Sequence, residues 1–160
     1  MSGIAGSRKK EPTVKMGLRY FYIITLFIMA LTGFGQMPIY KRYYLADIPG
    51  LGWLANFWTT RYVHYLGAIL LLALLAYILF NHLAANRKIQ KTTITGYLRG
   101  LFLAGIVFTG ILFVIKNFPG YLFSPQFIIG LNLSHLGFVM AFLLINLYCL
   151  IFRKKWTTVN

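Results

Sequence analysis

Acidic side chains are nearly absent from this 160-residue chain. Glu11 and Asp47 are the only two, against 16 Lys and Arg. Both lie outside the long apolar runs, which excludes paired-carboxylate catalysis, carboxylate metal cages and proton relays built on intramembrane Asp or Glu. Cysteine is equally scarce. Cys149 stands alone, so no internal disulfide and no Cys-built zinc or iron–sulfur site can form. Charged residues make up 11% of the chain, where a soluble domain carries about 25%. The five prolines all fall outside the apolar runs, and no internal repeat or low-complexity linker is visible. A small transporter would call for buried charges, broken mid-membrane helices or repeats, so these absences count against one. The formal charge of +14 raises nucleic acid as a partner. The cations cluster at the ends of apolar runs, however, as topology signals do, and no nucleic-acid-binding motif is present. Nucleic acid is therefore not an expected partner.

What the chain has is apolar length. Hydrophobic residues make up 59% and aromatics 18%. A helix needs roughly 20 apolar residues to cross the hydrocarbon core. Four such stretches are expected near 18–37, 62–83, 98–115 and 131–152. The reading is one all-α, integral membrane four-helix bundle over residues 1–160, in contact with membrane lipid. The first run lacks a small-residue cleavage site and reads as a retained span rather than a signal peptide. Twelve Lys and Arg flank one side: Arg8, Lys9, Lys10, Lys15, Arg19, Arg87, Lys88, Lys91, Arg99, Arg153, Lys154 and Lys155. Lys41, Arg42, Arg61 and Lys116 lie on the other. The positive-inside rule then places both termini in the cytoplasm. The aromatic segment 47–58 is too short to cross and is expected in the outer interface.

Against this apolar background His64 and His135 stand out. Long apolar segments reject polar side chains, so an intramembrane histidine is a functional hypothesis by default. Each lies near the outer start of its run, in the second and fourth crossings. Two imidazoles at matched depth on different helices can grip one flat cofactor from both sides, which points to a haem. Gly67 follows His64 by three residues, Gly137 follows His135 by two, and Gly33 closes the first span at the same level, leaving room for a macrocycle. Arg61, one turn before His64, is the cation suited to haem propionates. His82 lies 18 residues beyond His64, or ~27 Å along a helix, too far to share that haem.

This pattern resembles the four-helix cytochrome b subunits of membrane formate dehydrogenases and nickel–iron hydrogenases, within the bacterial cytochrome b561-like superfamily. The resemblance runs from about Arg19 to Phe152. It implies a prokaryotic cell membrane, iron–sulfur or cytochrome partner subunits, and electron exchange with menaquinone or ubiquinone. In that family the outer haem is held by a His early in helix two and another early in helix four, matched here by His64 and His135. The inner haem is held by a His early in helix one and one fourteen residues after the outer ligand of helix four. Those positions carry Tyr22, within Arg19-Tyr20-Phe21-Tyr22, and Cys149. The resemblance therefore implies a one-haem variant, with one haem b and no catalytic residue of its own. His82 and Tyr22 are candidates to line a quinone pocket. The alternative is a haem-free membrane anchor or assembly subunit of a respiratory complex, in which both histidines only join helices.

Overall fold

Polar caps, rather than the edges of the apolar runs, set where the helices begin. The computed structural model describes residues 16–86 and 90–159. Of the flanking residues used above, Arg8, Lys9, Lys10, Glu11, Lys15, Arg87 and Lys88 lie outside the described ones. The chain is all-α: α1 (Met16–Gly35), α2 (Pro38–Arg42), α3 (Phe57–Asn81), α4 (Ile94–Ile115) and α5 (Pro125–Ile151). All but α2 are long and apolar enough to cross a membrane, as expected of the four runs. Three of them start four to six residues earlier than expected. Asn56 accepts from the amides of Trp58 and Thr59 and so starts α3 five residues ahead. Thr93 accepts from Gly96 N and starts α4 four residues ahead. Ser124 accepts from Phe127 N, with Pro125 in the first turn, and starts α5 six residues ahead. Each side-chain oxygen satisfies amide donors that the first turn leaves unpaired.

The chain divides into two compact units, residues 1–84 and 85–160. The first is a helical hairpin of α1 and α3. Its connection holds α2 and two short 3-10 turns, Leu45–Asp47 and Gly52–Ala55. Segment 47–58 thus folds against its own hairpin end. Leu54 is fully buried there. Gly35, the last residue of α1, makes room for it, since a Cβ at that position would come within 3.2 Å of Leu54 Cβ. The Tyr40 hydroxyl donates to the Leu51 carbonyl at 3.0 Å and holds the loop down. At the far end, α3 relaxes into a π-helical turn, His82–Asn86.

The second unit is a hairpin of α4 and α5, closed by a two-stranded antiparallel clasp of β1 (Gln90–Thr92) and β2 (Thr157–Val159). The turn that leads into β2 leaves α5 through Arg153 in the left-handed region, at φ 51°. Lys154 N returns to Cys149 O at 2.9 Å and Arg153 N to Leu150 O at 3.3 Å, the paired bonds of a Schellman ending. Outside these contacts the helix surfaces are apolar and open: Phe27, Ile69, Leu101 and Leu150 are all at least 63% exposed. Hydrocarbon solvates such surfaces, and the backbone polar groups are satisfied within the helices, so the hairpins suit a membrane.

Candidate functional site: a threonine–histidine pair in each hairpin

The same side-chain arrangement occurs once in each unit. In the first hairpin His64 on α3 meets Thr32 on α1, with Nδ1 2.9 Å from Oγ1. In the second, His135 on α5 meets Thr109 on α4 at 2.7 Å. Both threonines are buried and both histidines half-buried. Each threonine also bonds back to its own helix, Thr32 Oγ1 to Ile28 O at 2.7 Å and Thr109 Oγ1 to Gly105 O at 2.8 Å.

These second bonds fix the first. A threonine hydroxyl has one proton and two lone pairs. Given to a helix carbonyl, that proton is not available to the imidazole, so the hydroxyl must accept and histidine Nδ1 must donate. In a neutral ring this arrangement corresponds to the Nδ1–H tautomer, with the lone pair on Nε2. A metal-ligating imidazole has this form, with its other ring N–H held by a second group that fixes ring orientation and raises basicity.

Glycine follows threonine in both pairs. A Cβ on Gly33 would lie 3.5 Å from His64 Cε1, and one on Gly110 would lie 3.9 Å from His135 Cε1. Each Thr-Gly dipeptide therefore offers an acceptor and a flat backbone surface to the facing ring. One turn further on, each hairpin pairs a glycine with a bulky side chain, and the roles are exchanged. Gly67 on α3 receives Met29 of α1, whose Sδ would stand 2.6 Å from a Cβ there. Gly105 on α4 receives Phe138 of α5, whose Cδ1 would stand 2.9 Å away. His135 also packs edge-on to Phe113, with ring centroids 5.4 Å apart at 86°.

The other predicted residues fall as follows. The space beside Gly67 is filled by Met29, so that glycine serves close approach of α1 and α3. Gly137 is exposed, with nothing within 4 Å of a Cβ. Gly33 lies against His64 itself. Arg61 donates from Nε and Nη2 to the Tyr65 hydroxyl at 3.2 and 3.1 Å and lies over the Phe57 ring. Tyr22 and His82 belong to the same hairpin end but to different levels. The register set by Thr32·His64 and Met29·Gly67 puts Tyr22 level with Leu74, about 12 Å of helix rise short of His82.

The early helix starts also change the expected depths. His64 lies seven residues into α3 and His135 ten into α5, whereas both were expected near the start of their runs. Measured each in its own hairpin, the second pair lies about one turn further from the connecting end. Thr32 and Thr109 escaped sequence reasoning. Their signal was a Thr-Gly dipeptide in the outer half of each run that precedes a histidine-bearing run. No protein-family model, curated protein or solved structure matches the chain.

Proposed function

We propose that the chain is a b-type cytochrome subunit of a prokaryotic membrane oxidoreductase. It carries electrons between a partner redox subunit and the quinone pool or another redox partner. His64 and His135 would hold one haem b through their imidazoles. The observation that supports this reading is the repeated pair: two hairpins that share no local sequence repeat each set a histidine Nδ1 against a back-bonded threonine, the kind of contact by which a second group orients a metal-ligating imidazole. A bound haem supplies one-electron chemistry. The chain's own part is to hold the imidazoles, set their basicity through Thr32 and Thr109, and surround them with apolar helix. Arg61, one turn from His64 and steadied by Tyr65, is the cation for a propionate. His82 is the stronger of the two quinone-pocket candidates, since it sits in a π-helical turn, a distortion frequent at functional sites.

One observation favours a second reading, the haem-free membrane anchor. The two Thr–His bonds also tie α1 to α3 and α4 to α5, and Met29 and Phe138 fill space beside them. Expression under haem-replete conditions separates the two. Purified protein should show a reduced b-type α band with one haem per chain, and His64→Ala and His135→Ala should each abolish it. A flat visible spectrum from folded wild-type protein supports the anchor. Haem fully retained in either variant removes that histidine from the ligand set.

A further inference from the structure

Among the described residues, Arg99 is the one buried charged side chain, 4% exposed and five residues into α4. Its Cζ lies 4.9 Å from the Trp156 ring centroid, and Nη2 donates to the Lys154 carbonyl at 3.0 Å. Nε is sealed and has no partner. Nη1 also has no hydrogen bond, and it is less completely sealed than Nε.

No acidic side chain is available within this unit: residues 85–160 contain no Asp or Glu at all. The same clasp carries further positive charge: Lys91 on β1, and Arg153, Lys154 and Lys155 on the turn that leads into β2, all exposed. Burying a guanidinium among like charges is strongly unfavourable unless an anion joins it. The Trp156 face offsets only part of this. The fold nonetheless builds the site firmly. Thr93 donates to the Lys155 carbonyl at 2.9 Å. Gly96 lies against the Trp156 carbonyl so closely that a side chain there would collide with it.

Such a site suits an anion, and its position selects the anion's chemistry. A guanidinium fork matches two phosphate oxygens. The cations sit where α4 begins and α5 ends, the level at which an apolar hairpin meets lipid headgroups. Beside them the surface turns apolar: Ile94 is 86%, Leu98 44% and Ile151 66% exposed. A free phosphate has no use for such a border, whereas acyl chains do. We propose that this clasp binds the phosphate headgroup of an anionic phospholipid, with Arg99 as the fixed ligand and Lys154 and Lys155 as outer cations. The site is independent of haem binding.

Native mass spectrometry of the full chain, released from nanodiscs of equal phosphatidylcholine and phosphatidylglycerol, tests this. Wild type should retain phosphatidylglycerol about fivefold over phosphatidylcholine, the weight of one well-placed basic side chain. Arg99→Gln, shown to be helical by circular dichroism, should lose the preference. Should that variant fail to fold, thermal unfolding of the wild type decides: phosphatidylglycerol should raise the midpoint above that in phosphatidylcholine, and inorganic phosphate added to phosphatidylcholine nanodiscs should not. Equal retention of both lipids by the wild type overturns the proposal. So does a preference that survives in folded Arg99→Gln. Stabilisation by inorganic phosphate equal to that by the lipid assigns the site to a free anion and overturns the lipid headgroup. Loss of lipid preference on binding an acidic partner subunit assigns Arg99 to protein and overturns it too.

Discussion

Replacing Thr109 by Val tests the threonine–histidine pair most directly. Valine keeps the shape of threonine and removes the oxygen. His135 Nδ1–H then loses an acceptor at 2.7 Å and faces apolar surroundings. Interhelical hydrogen bonds in membranes are worth about 0.6 kcal/mol on average and up to about 1.7. An unsatisfied buried donor costs about 1–3 kcal/mol. His135 is half-buried, so the lower part of these ranges applies, and Thr109→Val should destabilise the α4–α5 hairpin by about 1–2 kcal/mol. Thr109→Ser keeps both the acceptor and the bond to Gly105 and should cost far less. Unfolding in mixed micelles, followed by circular dichroism, measures both. A double-mutant cycle with His135→Ala isolates the pair, with an expected coupling of about 1 kcal/mol. If haem is bound, a less basic imidazole stabilises the ferric state less, so Thr109→Val should raise the midpoint potential; 1 kcal/mol is about 43 mV for one electron. The same direction is expected for Thr32→Val against His64, at 2.9 Å. A coupling energy within about 0.3 kcal/mol of zero would refute the threonine–histidine hydrogen bond on which the functional reading rests.

Three further outcomes follow from the packing and the caps. Gly105→Ala places a methyl against the rigid Phe138 ring and should destabilise by about 1–3 kcal/mol. Gly67→Ala meets only the flexible end of Met29, and the better helix propensity of alanine, about 1 kcal/mol, offsets the repacking, so a near-neutral result is expected in the same micelle assay. Asn56→Ala removes the acceptor for Trp58 N and Thr59 N; it should cost about 1 kcal/mol and speed amide exchange at those two residues without affecting the second unit.

Much of the architecture was readable along the chain. The four apolar runs became the four long helices because hydrocarbon thickness demands about 20 apolar residues, and little else satisfies that demand. His64 and His135 were visible because imidazole interrupts hydropathy. Thr32 and Thr109 were not, because threonine hides its hydroxyl on the carbonyl one turn back and leaves no break in the apolar pattern. The likeness between the two hairpins was also hidden. Gly67 and Gly105 occupy corresponding levels on opposite helices of their hairpins, so no alignment of one half on the other brings them together. Arg99 read only as one of the cations flanking the spans; its burial under Trp156 depends on a tail that turns back through Arg153.

Composition and run length therefore determined the fold class, the number of long helices and the two imidazoles, since these depend on the solvent each residue prefers. The tertiary structure decided which atom of each imidazole meets a threonine, where the capped helices start and which cation is buried. These depend on partners 26 to 55 residues away, across a hairpin, or on capping oxygens just outside the apolar runs. Hydrogen-bond direction and packing are properties of pairs, and a single strand of residue types does not specify which pairs will meet.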